Sequence, residues 1–367
     1  MLAALNLEEP DKIPIAPMGV GGGWYLPKLF GLEISRYTLA DNKTKAKMYL
    51  AAQKKYGYDW IETERAHWGR DWRKKVKIKR VKGGYLITNL MSFDSENGSE
   101  VFVPRNDLPH VKVGTLKLES LEKIELLDPQ TILKSGVIEP IEIVCKEVGD
   151  KVMVSGHLSS PFFRLSMWTG LNELLLGIYR KPRLVEKGLE LALKYEIEFA
   201  RALSEVGIGC FFVEECFASS DVISRSLYER FAFPAERSFI KQLKVLGVPV
   251  VFSFLGDAMP LLEKVVEVGA DAYHFEESKK NFIVDPVKLK EAVSGKACLF
   301  APLDSLKLRT ADVGTVDKMV KEMINQVAVG GGVVLSFGSV LMKDTPLENF
   351  ETVIKTARSI GTYPFIP

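Results

Sequence analysis

Hydrophobic and polar positions alternate in two ways along this chain. From about residue 150, short apolar runs typical of strands buried on both faces recur between longer amphipathic segments with apolar residues at helical spacing. Glycines stand where each helix must stop before the next strand. The apolar runs are KVMVSG (151–156), CFFVEE (210–215), VPVVFSF (248–254), DAYHFEE (271–277), ACLFAP (297–302) and GGVVLSFG (331–338).

Two further runs precede this region and complete the predicted architecture. KIPIAPMG (12–19) and YDWIETE (58–64) have the composition of strands, and the helix-like segment 42–57 separates them. Strand–helix alternation predicts βαβ units with a parallel sheet, and eight strands is the number in a closed barrel. We therefore predict an α/β protein with a (β/α)8 TIM barrel formed by residues 1–367 as a single domain. A doubly wound open sheet is the alternative.

The stretch from about residue 70 to 115 interrupts this pattern. KVKIKRVKGGYLITNLMSFDSENGSEVFVP has the residue pattern and the Gly-Gly turn of antiparallel strands. We predict a β-hairpin layer inserted near residues 70–115. The lysines of RDWRKKVKIKR (70–80) suit a solvated edge strand, where they discourage aggregation, better than a binding patch.

Composition and charge mainly exclude function classes. The 367 residues carry a net charge of +2, so we expect no nucleic-acid or membrane partner. We expect no signal peptide at the short, acidic N-terminus, and no apolar run reaches the roughly 18 residues of a membrane helix. The four cysteines are scattered without a CxxC pair, which fits a reducing compartment, and we predict a cytoplasmic protein.

Polar and aromatic side chains collect where the predicted strands end. In a (β/α)8 barrel these C-terminal ends form the rim that carries the chemistry. A lone histidine there is more often structural, but three of the four histidines follow strands and share the rim with carboxylates. The rim candidates are Trp24, Tyr25, Glu62, Glu64, Arg65, His67, Trp68, His157, Phe162, Glu214, Glu215, Cys216, Ser253, Asp257, His274, Glu276, Glu277, Asp304, Ser336 and Ser339.

Four longer stretches carry a family resemblance: residues 156–170 (GHLSSPFFRLSMWTG), 175–189, 212–273 and 330–357. With them the chain resembles the uroporphyrinogen decarboxylase superfamily, in its cobalamin-dependent methyltransferase branch, over about residues 10–365. The resemblance implies a (β/α)8 barrel with its site at the C-terminal rim. It does not settle the reaction, because members of one fold family differ in chemistry.

Two motifs of the family are altered in this chain. The resemblance implies arginines in the first strand–helix loop of a decarboxylase, whose substrate carries many carboxylates, but MGVGGGWYLP (18–27) has none. Zinc-type methyltransferases of the family have a His-x-Cys-Gly motif after the fifth strand and a Cys after the eighth. Those positions are Ser253, Leu255 and Ser339 here. We therefore predict no zinc bound through these three residues.

The missing thiol-activating site indicates the other half of a methyl-transfer pathway. Cob(I)alamin is already a strong nucleophile, so a demethylating enzyme need only hold the substrate and stabilise its leaving group. We predict a methyltransferase that moves a methyl group from a small substrate to the cobalt of a corrinoid (cobalamin) on a partner protein. The substrate is O-methylated, such as a methoxylated aromatic, or N-methylated. The alternatives are a tetrapyrrole decarboxylase and a non-catalytic corrinoid-binding or assembly barrel, and a homodimer stays open.

Site residues follow from the rim candidates. The predicted catalytic groups are Glu214, Glu215, His157 and His274. Since side chains alternate along a strand, only one of Glu214 and Glu215 should face the barrel mouth; the alternative is that both pair with Arg65 or Arg164. The predicted substrate-binding residues are Trp24, Tyr25, His67, Phe162, Ser253, Glu276 and Ser339. A metal site at unusual positions, with ligands such as His157, Glu214 and Asp304, is a further alternative.

Overall fold

The apolar runs form parallel strands, as predicted. The computed structural model describes residues 1–65, 69–92, 95–109, 114, 116–279 and 281–365. Its strands are β1 Ile15–Ala16, β2 Trp60–Thr63, β3 Lys77–Val81, β4 Gly84–Ser92, β5 Ser95–Pro104, β6 Met153–Ser159, β7 Cys210–Glu215, β8 Val250–Phe254, β9 Ala272–Phe275, β10 Cys298–Leu303 and β11 Val333–Phe337. Eight of them form one parallel sheet in the order β1-β11-β10-β9-β8-β7-β6-β2.

This sheet curves into a barrel. β1 and β2 are the two ends of the hydrogen-bonded order, and the residue before β2 joins them. Asp59 donates its backbone N–H to the carbonyl of Ile15 at 2.9 Å, and its carboxylate accepts from the N–H of Ile15 at 2.8 Å. The predicted (β/α)8 barrel is therefore confirmed.

Helices follow the barrel strands and cover the outside of the sheet. None of the helices in the described part of the chain is long and apolar enough to cross a membrane. The helices are α1 Leu2–Leu5, α2 Ile34–Thr38, α3 Asn42–Tyr56, α4 Trp72–Lys75, α5 Pro129–Ser135, α6 Glu139–Val148, α7 Pro161–Thr169, α8 Leu171–Arg180, α9 Pro182–Glu205, α10 Arg225–Leu227, α11 Phe233–Val245, α12 Leu262–Val266, α13 Pro286–Val293, α14 Ser305–Thr310, α15 Val313–Val327 and α16 Leu347–Ile360.

The predicted insertion is a three-stranded antiparallel sheet, in the order β3-β4-β5. It has its own small apolar cluster, built from Trp72, Ile87, Val101 and Val103. Its exit is anchored at the barrel rim, where Asp107 accepts a hydrogen bond from the Trp24 indole at 3.0 Å and pairs with Lys343 at 2.6 Å. The insertion therefore lies beside the mouth of the barrel.

Alternation along the barrel strands separates an inner core from an outer one. On β7, Phe212 packs inside the barrel, whereas Phe211 and Val213 pack between the sheet and the helices. The inner core is built from Ala4, Leu5, Ala16, Met18, Trp60, Met153, Cys210, Phe212, Val251, Ala272, Cys298, Phe300 and Val334. Toward the C-terminal ends, the same alternation brings polar side chains to the inner positions. The sequence of each strand thus locates the mouth.

Candidate active site

Glu214 and His157 form a pair at the mouth. Glu214 continues the inner series of Phe212 on β7, and its carboxylate lies 3.1 Å from Nε2 of His157 on the neighbouring strand β6. The His157 ring stacks against Phe212 with centroids 5.9 Å apart. The side chains stay in contact with the opening, since 26% of His157 and 18% of Glu214 is exposed. This is a solvent-reachable acid–base pair on rigid strands.

The charges of this pair follow from its surroundings. Burial alone lowers the pKa of His157, but the hydrogen bond and negative charge of Glu214, with Glu64 behind it, raise the pKa above its ordinary value. Burial raises the pKa of Glu214, and the hydrogen bond and charge of His157 outweigh it, so that this pKa lies below the usual range. The two opposite shifts favour the ion-paired form of the pair, an imidazolium beside a carboxylate.

Glu215 has a different environment from its neighbour. It belongs to the outer series of β7 and is fully buried. One carboxylate oxygen accepts from the backbone N–H groups of Phe217 at 2.7 Å and Ala218 at 3.0 Å, and the other accepts from the hydroxyl of Ser160. Burial raises the pKa of Glu215 to about 7 in spite of these bonds. Glu215 thus holds the loop that follows Glu214 instead of facing the mouth.

Two more carboxylates, Glu62 and Glu64, belong to the same acidic region. Both share the inward parity of Trp60 on β2, and the charge of His157 acts to lower the pKa of both. Burial and the charge of Glu64 raise the pKa of Glu62 to about 7, and burial also raises the pKa of Glu64. In the sequence both residues stand at a strand end. The alternation of side chains along the strand was the feature that could have identified them as facing inward. Lys45 on α3, whose pKa burial lowers to about 8, offered no such feature.

The glycine run after β1 folds tightly over Glu62. The carboxylate of Glu62 accepts from the N–H of Gly19 at 2.5 Å and from that of Gly21 at 3.4 Å. A Cβ at Gly21 would meet the Glu62 carbonyl oxygen at 2.1 Å, so a side chain there has no room. On the other side, Tyr37 and Tyr49 donate to the Gly21 carbonyl at 3.4 and 3.2 Å. The glycines thus allow the backbone of this loop to pack directly against Glu62.

His274 is on the opposite side of Phe212, with ring centroids 6.1 Å apart. It is fully buried, its Nε2 lies 2.7 Å from the carbonyl of Phe337, and its Nδ1 lies 2.8 Å from the hydroxyl of Ser253. Since a carbonyl only accepts, Nε2 carries the hydrogen and Nδ1 accepts from Ser253. Burial lowers the pKa of His274 to about 4, so the ring is neutral.

Glu276 and Ser339 lie at the rim beyond His274. Glu276 accepts from the N–H of Gly256 at 2.7 Å and pairs with the ammonium group of Lys279. Ser339 donates to Glu277 at 2.7 Å and lies 2.8 Å from Nζ of Lys279. This polar network joins the loops that follow β8, β9 and β11.

Several predicted site residues lie elsewhere. Tyr25 is buried against Phe350, with ring centroids 5.5 Å apart, and Phe162 is buried between sheet and helices, so neither walls a substrate cavity. Trp24 is bound to the insertion through Asp107. His67 falls outside the described residues. The alternative that Glu214 and Glu215 pair with Arg65 or Arg164 is wrong, because Glu196 of α9 binds both arginines.

The side chains at the family's zinc positions and at the alternative metal site do not suit a metal ion. At the family's zinc positions, Ser253 donates to His274, Leu255 has no ligating atom, and Ser339 is bound to Glu277. The alternative ligand Asp304 caps α14 through the N–H of Lys307 at 2.8 Å. No group of three or more His, Cys, Asp or Glu in the described ranges is arranged to hold a metal ion.

A family model described as uroporphyrinogen decarboxylase (URO-D) matches residues 86–360. The chain belongs to the uroporphyrinogen decarboxylase family. One relative is methylcobamide:CoM methyltransferase MtbA of Methanosarcina mazei, 21% identical over 68% of this chain and 70% of that protein. Another is uroporphyrinogen decarboxylase of Carboxydothermus hydrogenoformans, 20% identical over 71% of this chain and 73% of that protein.

A solved structure of a methyltransferase from Methanosarcina mazei has the same fold. It superposes with a TM-score of 0.75 at 21% identity, covering 98% of this chain and 97% of that chain. Methyltransferases and decarboxylases of the family are thus similar to this chain at nearly equal identity. Overall similarity does not separate the two reactions, and the side chains of the mouth must do so.

Proposed function

We propose that this protein transfers a methyl group from a small O- or N-methylated substrate to the cobalt of a corrinoid on a separate protein. The observation that carries the proposal is the His157–Glu214 pair at the opening of the barrel, in which Nε2 of the imidazole lies 3.1 Å from the carboxylate. A methylated corrinoid as reaction partner is supported by the name of the similar Methanosarcina protein, a methylcobamide:CoM methyltransferase.

The chemistry requires a proton donor and little else from the protein. The cobalt(I) electron pair attacks the methyl carbon and forms the cobalt–carbon bond, which makes the metal formally cobalt(III). The bond from carbon to oxygen or nitrogen breaks, and its electron pair stays on the leaving atom. Proton transfer to that atom prevents an anionic leaving group from accumulating, which is the task of a general acid.

His157 fits the role of the acid better than Glu214. The raised pKa of His157, which Glu214 and Glu64 cause against the effect of burial, favours the protonated ring that a general acid needs. Glu214 has a lowered pKa and has no proton to give, so it is a positioning residue that orients the ring and holds its charge. After the transfer, His157 is neutral and regains a proton from solvent at the open mouth.

Tetrapyrrole decarboxylation has less support in this mouth. A substrate with many carboxylates needs cations to bind it. The loop 18–27 has no arginine, and Arg65 and Arg164 are already bound to Glu196. The inner rim instead carries Glu62, Glu64 and Glu214, which would repel a polyanion.

The protein's setting is part of the proposal. The four cysteines are present as free thiols, three of them buried, which supports action in a reducing cytoplasm. The partner is a corrinoid protein, and the acceptor cobalt enters the reaction as a substrate.

The test is an assay of corrinoid methylation. The purified protein is mixed with a reduced corrinoid protein and a panel of aryl methyl ethers and methylated amines, and methyl–cobalt formation is followed by absorbance. We expect one class of donor to react, and the same mixture without the protein to stay unmethylated. If no donor reacts while carboxylated tetrapyrroles lose carbon dioxide, the proposal is wrong.

A further inference from the structure

A lysine occupies the part of the rim to which the family's zinc positions belong. Glu276, after β9, reaches the loop after β8 through the N–H of Gly256 at 2.7 Å. It reaches the loop after β11 through Ser339, whose hydroxyl lies 3.3 Å from the same carboxylate oxygen that pairs with Lys279. Nζ of Lys279 lies 2.8 Å from the Ser339 oxygen. The Lys279 ammonium group thus contacts both Glu276 and Ser339, the two residues through which these loops are linked.

A second carboxylate completes the surroundings. Glu277 accepts from Ser339 at 2.7 Å through one oxygen and from Ser305 through the other. It is tightly enclosed, because a Cβ added at Gly338 would lie 2.5 Å from the Glu277 carboxylate. Lys279 therefore contacts one carboxylate, of Glu276, and the hydroxyl of Ser339, and Glu277 adds a second carboxylate on the other side of Ser339.

Burial makes a cation necessary at this place. Only 8% of the Glu276 side chain is exposed, against 29% of Lys279. A buried carboxylate without a partner is strongly destabilising. A metal ion would meet this need in a metal-holding barrel, but the soft and nitrogen donors that zinc prefers are absent from these positions.

We propose that Lys279 replaces a metal ion as the fixed positive charge of this rim, and that it is a positioning residue joining the loops after β8, β9 and β11. The ammonium group neutralises Glu276 and keeps Ser339 in place between the two carboxylates. This inference concerns the same mouth as the proposed methyl transfer and rests on that proposal only where activity is measured.

Removal of the ammonium group then has a specific consequence. Lys279→Ala leaves Glu276 and Ser339 beside the vacated position, with Glu277 bound to Ser339, and these oxygen donors suit hard divalent cations. We expect the variant to bind Mn²⁺ with a dissociation constant on the order of 0.1–1 mM, the range of weak oxygen-ligand sites. Electron paramagnetic resonance of Mn²⁺ titrations measures this without any substrate or corrinoid.

Three further proteins make the experiment specific. The wild-type protein should show no such binding, and Lys279→Ala combined with Glu276→Gln should lose it. Lys307→Ala is the matched control, because Lys307 follows β10, pairs with Asp304 three residues earlier at 3.7 Å, and is exposed. We expect Lys307→Ala to behave as the wild-type protein.

Stability and activity provide the second measurement. Lys279→Ala should have a lower Tm that Mn²⁺ raises again, and Lys279→Arg should keep most of the wild-type Tm. Methyl transfer should fall in Lys279→Ala and recover with Mn²⁺. If Lys279→Ala does not fold, Lys279→Gln is used in its place.

Equal Mn²⁺ binding by the wild-type protein, Lys279→Ala and Lys307→Ala would overturn the inference about Lys279. That outcome would leave the proposed function intact wherever the wild-type protein methylates corrinoid. Conversely, Mn²⁺ binding that depends on Glu276 would support the inference even if no methyl donor reacts.

Discussion

His157 and His274 both face the inside of the barrel beside Phe212, but their pKa values are shifted in opposite directions. Both point into the barrel near the ends of their strands, and both lie about one ring away from Phe212, at 5.9 and 6.1 Å. His157 meets the carboxylate of Glu214 and remains partly exposed. His274 meets a hydroxyl and a backbone carbonyl and is fully buried.

The partner, more than the position, decides the charge of each ring. A carboxylate favours the protonated imidazole, whereas burial without a counter-charge favours the neutral one. The pKa of His157 therefore rises and that of His274 falls, because burial removes the hydration that the imidazolium needs. We therefore propose that proton transfer takes place on the β6–β7 side of the mouth and that His274 has a structural role.

Replacing His157 should have the largest effect on activity. His157→Gln keeps a hydrogen-bonding side chain for Glu214 and removes the transferable proton, so kcat should fall by roughly 10² to 10⁴-fold. The variant should still fold, with a small loss of stability from the lost ion pair with Glu214, because the His157 side chain is partly exposed at the opening. Steady-state methyl transfer with thermal melting of the same sample measures both quantities. Near-full activity of this variant would remove His157 from the mechanism.

Replacing His274 should instead destabilise the fold. His274→Phe has a similar ring but leaves the Ser253 hydroxyl and the Phe337 carbonyl unpaired, at about 1–3 kcal/mol for each buried group. Urea unfolding should therefore show a loss of roughly 2–6 kcal/mol. Ser253→Ala is the matched variant, since it removes one partner of the same bond and should cost less. An unchanged unfolding free energy in His274→Phe would contradict the structural role.

The two rings should also titrate on opposite sides of the ordinary histidine value. The pKa of His274, which burial lowers to about 4, means that the unfolded chain takes up this proton before the folded one. The stability that the neutral His274 ring contributes is complete above about pH 6.5 and is lost as the pH falls toward 4, by roughly 3 kcal/mol in all. His157, with a raised pKa, contributes most below the ordinary value and loses its contribution as pH rises through the folded one.

NMR of the imidazole C–H signals tests this difference directly. The chemical shift of the His157 signal should change with a midpoint above the ordinary histidine pKa. The chemical shift of the His274 signal should stay constant down to about pH 5. Activity should fall with rising pH over the same range in which His157 titrates. Coincident titrations of the two rings would contradict the comparison.

The smallest effect is expected at Glu215. Glu215→Gln keeps acceptor capacity for the N–H groups of Phe217 and Ala218, so activity should fall by less than about tenfold. Glu214→Gln is the matched variant on the adjacent residue, and it should lose more activity because His157 loses its charged partner. Similar losses in the two variants would show that the distinction between inner and outer positions on β7 has no functional consequence.

The barrel was predictable because each of its strands has a local cause. The apolar runs at 12–19, 58–64 and from 151 onward all became strands, and the insertion near 70–115 became the three-stranded sheet. Strand alternation alone also separates Glu214 from Glu215, although it does not say which one faces inward. That choice depends on which face of β7 lines the inside of the barrel and which face packs against the surrounding helices.

Other assignments failed because they depend on contacts far along the chain. Tyr25 and Phe162 follow strands as a substrate wall would, yet α16 and the outer core bury them. Arg65 and Arg164 belong to the rim in sequence, but Glu196 on α9 binds both. Lys45, whose charge acts to lower the pKa of Glu64, lies on helix α3 and not on a barrel strand.

By itself the sequence determined the strand order along the chain, the barrel, the family and the loss of the zinc-binding residue types. These depend on apolar periodicity and on residue identity, which are local properties. The charges of His157 and His274, the partners of Glu215 and the contacts of Lys279 were decided only by tertiary structure. A side chain's pKa and partners depend on burial and on groups within a few ångströms, and strand packing brings those groups together from distant parts of the chain.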